Sequence, residues 1–77
     1  MIYGTKLLES DIEMFTAALT QAPVYVWSLD QLGVYYQADT GYIVKYTADY
    51  VKIYSNQGAD GPKSVTYSRD TNEFSLR

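Results

Sequence analysis

Any chemistry in this chain must be done by carboxylates, hydroxyls or amines, because it contains no histidine and no cysteine. Those absences remove the usual general base, the commonest metal ligand, the thiol nucleophile and any thiolate metal site. Carboxylates remain. Glycoside hydrolysis needs a pair of them flanking one bond, and the candidates are Asp30, Asp39, Asp49, Asp60, Asp70 and Glu73. All six lie in or beside segments that read as turns, where solvated aspartate is the ordinary occupant. Glu9, Asp11 and Glu13 crowd a helix start, where capping explains two of them. Calcium needs several oxygen ligands at short spacing, and Asn56-Gln57-Gly58-Ala59-Asp60-Gly61 offers a single carboxylate. The glycines at 33, 41, 58 and 61 fall in loops among strands, so no phosphate cradle precedes a helix. The expectation is a protein that is not an enzyme and carries no cofactor or metal.

Asp39-Thr40-Gly41 resembles the catalytic tripeptide of aspartic proteases. That chemistry requires two such aspartates sharing a proton, supplied by two lobes or a dimer. The resemblance spans three residues, with no apolar Ile/Leu-Gly segment after it, and no function is carried over. Asp and Gly in that order predict a hairpin turn.

Tyrosine is the more informative residue. Residues 34–55, VYYQADTGYIVKYTADYVKIYS, hold six of the nine tyrosines. The segment reads as three short β runs, broken by Ala38-Asp39-Thr40-Gly41 and by Thr47-Ala48-Asp49. Closing both turns sets Gln37 opposite Tyr42, Tyr46 opposite Tyr50, and Tyr42 opposite Tyr54. Side chains alternate across a strand. One face then carries Tyr36, Ile43, Val51 and Ile53, with Val34 and Lys45 at its end, and is the expected core. The other carries Tyr35, Gln37, Tyr42, Val44, Tyr46, Tyr50, Lys52 and Tyr54. A one-residue slip in either turn would exchange the faces of a strand. From the second face, Tyr35, Tyr42, Tyr46, Tyr50, Lys52 and Tyr54 are the candidate partner-binding residues, with Trp27 beside them. Tyrosine and tryptophan supply large, stiff contact area with a polar tip.

The elements that must position this face follow in order. Residues 1–3 read as a short apolar lead or edge strand. Ser10-Asp11-Ile12-Glu13 is a capping box that starts a helix, and Pro23 ends it by about Gln21. Ile12, Phe15, Ala18, Leu19 and Ala22 form one stripe at helical spacing, the expected buried face. Val24-Tyr25-Val26-Trp27-Ser28 alternates as a strand, and residues 28–33 read as a connection ended by Gly33. Residues 56–62 are rich in turn formers. Residues 63–68 and 73–76 predict a last hairpin, Val65 and Tyr67 alternating against Phe74 and Leu76. Together these predict a single α+β domain over residues 1–77: one N-terminal helix packed on a five- or six-stranded antiparallel meander sheet.

With a net charge of −3, the chain is a poor candidate for binding that depends on phosphate neutralisation. No apolar run approaches the ~18–20 residues of a membrane span and no signal-peptide pattern opens the chain, so a cytoplasmic protein without membrane contact is expected. A protein partner, one with a basic groove among the possibilities, is favoured over nucleic acid, and a homodimer is open. In size, acidity and lack of catalytic residues the chain looks like the small inhibitors encoded by phages and other mobile elements, of which anti-CRISPR proteins are one group. That likeness, which no motif carries, implies a contact inhibitor of a host nuclease or defence complex. Stacking of single-stranded nucleic acid on the sheet tyrosines and a structural self-associating role are the alternatives.

Overall fold

The computed structural model describes residues 6–55 and 61–77, so the expectations for residues 1–3 and 56–60 lie outside the described residues. The order of elements is α1 (Asp11–Leu19), β1 (Val24–Leu29), β2 (Tyr35–Tyr46), β3 (Tyr50–Ser55), β4 (Lys63–Ser68) and β5 (Asn72–Leu76). The class is α+β, one helix against a five-stranded antiparallel sheet ordered β4-β3-β2-β1-β5.

The helix begins where the capping box places it. The Ser10 hydroxyl accepts the Glu13 N–H at 3.3 Å, and the Glu13 carboxylate accepts the N–H groups of Glu9 and Ser10, each at 3.1 Å. The bonds from Glu9 and Ser10 hold the Glu13 carboxyl below its ordinary range. At the far end Gln21 takes the left-handed conformation (φ 52°), its N–H bonding to the Ala18 carbonyl while Ala22 N–H reaches the Ala17 carbonyl. That pairing closes the last turn before Pro23 can disrupt it.

The buried face of α1 differs from the expected one. Met14 and Ala17 are buried against Leu8, Val24, Val26, Ile43, Val51, Ile53 and Phe74, with Ala18 and Ala22 packed at the margin. Ile12, Phe15 and Leu19 point to solvent. A nine-residue helix with apolar residues on both sides presents two usable stripes, and periodicity alone does not choose between them. The stripe containing two alanines lets the helix approach the sheet closely.

Residues 38–41 do not form a turn. They sit inside β2, a strand of 12 residues whose first part pairs with β1 and whose second pairs with β3. Two bulges make this possible. Ala38 is the extra residue between the pairs Val26–Asp39 and Trp27–Gln37, and Val44 is extra between Ile43–Ile53 and Lys45–Lys52. Bulges bend a strand and increase its twist, so one strand serves two half-sheets that fold towards each other. Gly41 lies at the bend. A Cβ there would fall 2.1 Å from the Tyr54 carbonyl oxygen and 2.9 Å from Ile53 Cγ2, so only glycine fits.

The second expected turn is present. Thr47 N–H donates to the Tyr50 carbonyl at 2.8 Å, and the Thr47 hydroxyl accepts from Asp49 and Tyr50 N–H, each at 3.1 Å. Between β1 and β2 the Asp30 carboxylate accepts the N–H groups of Leu32 and Val34 at 2.8 and 3.0 Å, and Gly33 supplies the positive φ.

The expected last hairpin does not form either. β5 crosses the open end of the sheet and pairs with β1, Phe74 opposite Val26. Its other edge is covered by the segment before the helix, where Leu8 N–H donates to the Phe74 carbonyl at 2.8 Å and Leu76 N–H to the Lys6 carbonyl at 3.0 Å. Arg69 anchors the crossing through its guanidinium, which donates to the Thr47 carbonyl at 2.6 Å and to Asp11 at 2.8 Å.

Candidate functional site

Residues directly opposite in a ladder share a face, so the register sorts the tyrosines. Tyr42 stands opposite Tyr54, as expected, and Lys45 opposite Lys52. Tyr54, Lys52 and Tyr50 stand in turn opposite Ser64, Thr66 and Ser68. The outer face of the β2–β3–β4 half therefore carries Tyr42, Lys45, Tyr50, Lys52 and Tyr54 with a border of hydroxyls. Its register contains no carboxylate. Tyr35, opposite Leu29, belongs to the outer face of the other half, with Tyr25 and Trp27. The Trp27 indole N–H there donates to the Ser75 hydroxyl at 2.8 Å, and the Tyr25 ring meets it edge-on with centroids 5.8 Å apart.

Two expectations about faces need correction. Tyr46 lies opposite Val51, not Tyr50, and packs against the core from the inner side. Lys45, expected at the end of the core face, is exposed on the outer one. The Val44 bulge is the reason, because one additional residue reverses the alternation for everything after it. Tyr36 keeps the expected face, opposite Ser28, but is half exposed there and not part of the core.

The structure adds a surface that the sequence reading placed in the core. Ile12, Phe15 and Leu19 are 73%, 50% and 71% exposed and form one row along the outside of α1. A shallow groove lined by Phe15, Ala18, Leu19, Val44, Lys45 and Tyr46 separates this row from β2. A second depression, lined by Ala18, Gln21, Tyr42, Ile43, Val44 and Tyr54, continues it. Ala18 and Val44 belong to both, so Phe15 and Leu19 of the helix row, Val44 and the Tyr42–Tyr54 pair form one continuous apolar surface. Tyr42 and Tyr54 are each 38% exposed and Val44 is 55%. The signal that could have revealed it was the second apolar stripe of the helix, Met14 with Ala17 and Ala18.

Asp39 is held in a structural network. Its carboxylate accepts the Tyr67 O–H at 2.7 Å and the Thr40 N–H at 2.8 Å. The Thr40 hydroxyl donates to the Val24 carbonyl at 2.9 Å and accepts from the Arg77 guanidinium at 3.2 Å. Asp39 thus ties β2 to β4, and Thr40 ties it to β1 and Arg77. Burial, and then the neighbouring Asp39 carboxylate, push the Tyr67 phenol well above the ordinary tyrosine range. A group with a raised pKa adds stability below its unfolded value, near 10, and loses it as pH rises through the folded value. Tyr67 is thus expected to ionise above the ordinary tyrosine range in an ultraviolet titration. Tyr67→Phe should cost ~1 kcal/mol at neutral pH and flatten the loss of stability in alkali. An unchanged alkaline slope would show that the Asp39 bond is not made in solution.

Among the described residues no helix is long and apolar enough to cross a membrane, and no three acidic side chains come together as metal ligands would. No protein-family model matches the chain, and neither a curated protein nor a solved structure does.

Proposed function

We propose that the chain is a non-catalytic protein-binding module that acts by contact, occupying a groove on its partner. One observation carries this reading: the outer row Ile12, Phe15 and Leu19 is left in solvent on a helix whose other side is packed. Spacings of three and four residues are those by which a helix seats its anchors in an apolar groove. Large aliphatic and aromatic side chains left half or more exposed in one row are unusual on a free domain of this size. Asp11 borders the row at its N-terminal end with a side chain 70% exposed, and Glu9 precedes it. The partner chemistry that fits is an apolar groove with a basic rim. Tyr42 and Tyr54 extend the contact beyond the helix. Occlusion of a functional groove on a host nuclease or defence complex, as phage-encoded inhibitors do, is consistent with this form of contact. Action in the cytoplasm belongs to the same proposal.

The test is capture from nuclease-treated host lysate by the tagged protein, beside the variant Phe15→Ser with Leu19→Ser. Both side chains face solvent, so the variant should remain folded by circular dichroism. Loss of the captured protein in the variant, and weakening with added salt, are the expected results. Equal capture by both forms would remove the helix row from the interface.

A second reading has its own observation. Lys45 and Lys52 are directly opposed on the outer face, an arrangement that is unfavourable without an anion, and tyrosines flank them. Single-stranded nucleic acid offers phosphates for the lysines and bases for the rings. Binding of a labelled oligothymidylate that is abolished by Lys45→Glu and untouched by Phe15→Ser would favour this reading over the first.

A further inference from the structure

The two edges of the sheet are treated differently. On β5 two outward groups are engaged by the segment before the helix: the Phe74 carbonyl by Leu8, and the Leu76 N–H by Lys6. On β4 the orientation of the backbone follows from one bond. Arg69 N–H donates to the Asp49 carbonyl at 2.9 Å, and the ladder continues with Ser68 opposite Tyr50. Bonded and non-bonded pairs alternate in an antiparallel ladder. Lys63, Val65 and Tyr67 therefore direct their N–H and C=O groups to β3, and Ser64, Thr66 and Ser68 direct theirs outward. The Ser68 carbonyl confirms the direction, accepting the Asn72 side-chain amide at 2.9 Å from outside the ladder. Among the described residues no hydrogen bond reaches the outward groups of Ser64 and Thr66.

This edge lacks the usual protections. The register of β4 runs without a bulge, no proline lies within Lys63–Ser68, and its single charge is at its first residue. The inner row, Val65 and Tyr67, is only half-buried, as at the unfinished margin of a core.

We propose that β4 pairs with β4 of a second copy of this chain, antiparallel about a twofold axis through Val65. In that register Ser64 and the second copy's Thr66 exchange both backbone bonds, as do their symmetry mates. Val65 meets its own counterpart as a non-bonded pair, and Lys63 lies opposite the second copy's Tyr67, with no like charges opposed. The next pair outward joins Pro62 to Ser68, where one of the two bonds is lost without penalty, because proline has no N–H to give and the serine carbonyl that would accept it is already engaged. The Ser68 N–H can still donate to the Pro62 carbonyl, and the bonding thins out at that pair. Of the neighbouring symmetric registers, the one centred on Ser64 sets the Thr66 carbonyl opposite Pro62, which has no N–H, and the one centred on Thr66 is worse on two counts. It requires the engaged Ser68 carbonyl and sets Lys63 opposite Arg69. The proposal is independent of the helix row and of its partner.

The chain has no cysteine, which makes the test clean. Opposed residues of a non-bonded antiparallel pair have Cα atoms about 4.5 Å apart, within the ~4.4–6.8 Å that a disulfide spans. Val65→Cys should cross-link to a covalent dimer under mild oxidation, and Ser64→Cys, which faces Thr66 rather than itself, should not. The unmodified protein should sediment as a dimer. Thr66→Pro, which removes an outward N–H without touching the β3 ladder, should sediment as a folded monomer. A monomeric parent protein at every soluble concentration would overturn the proposal, including the case in which another protein supplies the strand. Equal cross-linking of Val65→Cys and Ser64→Cys would overturn the register, and a dimer unaffected by Thr66→Pro would overturn the edge.

Discussion

Gly41→Ala is expected to be among the most damaging single substitutions in the protein, although it adds one methyl group. The added Cβ would lie 2.1 Å from a backbone oxygen, and backbone on the neighbouring strand has no rotamer by which to escape. Overpacking of this kind costs ~1–3 kcal/mol, and more where the neighbour cannot move. A chain of this length has ~4–12 kcal/mol in total. At ~4–8 °C per kcal/mol, a cost of about 3 kcal/mol lowers the melting temperature by ~12–24 °C. The bend is also where β2 passes from one half-sheet to the other, so strain there reaches both. Thermal unfolding followed by circular dichroism measures it. A variant melting within a few degrees of the parent would mean that β2 and β3 are not pressed together at Gly41.

The second large effect is a contrast between neighbours. Met14 is buried under the helix, and Phe15 is half exposed on its outside. Met14→Ala leaves a cavity in the core cluster beneath α1, and should cost ~2–5 kcal/mol. Phe15→Ala should cost about 1 kcal/mol or less, because half of Phe15 is already in water in the folded state. Denaturant midpoints with unchanged slopes would measure both. The reverse ranking would mean that the helix lies on the sheet by its Ile12–Phe15–Leu19 stripe, and the proposed contact surface would vanish with it.

That contrast also marks what was legible in the sequence. The start of α1 was written in Ser10 and Glu13, because capping is local chemistry between residues three apart. β1 was plain from its alternation, and the Thr47–Asp49 loop from its residue types. The class of fold followed from these. The rotation of the helix did not, since both stripes were apolar and only the sheet beneath decides between them. Asp39 and Gly41 are turn residues by preference. Here they serve a strand interior, the one through its bond to Tyr67 and the other through a crossing too tight for any side chain. Both reasons involve residues far along the chain, and no local reading contains them. The bulge at Val44 had the same character. It moved Tyr46 into the core and Lys45 out, leaving Tyr42, Tyr50, Lys52 and Tyr54 on the face expected for them. The destination of β5 was invisible for a different reason. A short connection after Ser68 suggests a hairpin, and nothing in the segment itself announces that β1 still has an unpaired edge.

The pairing of β5 with β1 on one side and with Leu8 on the other also sets an order of events in time. β1 through β4 join by successive short connections and can assemble as each emerges. Val24 and Val26, however, keep one flank open until Phe74 arrives, some fifty positions later in the chain. Contacts of such separation pay their loop-closure cost before any reward, which slows the final step. During synthesis the residues before the helix must wait for β5, and until then two strand edges remain exposed. A nearly complete sheet of β1 to β4 therefore precedes its closing strand, and the refolding rate should depend most on residues of β1 and β5.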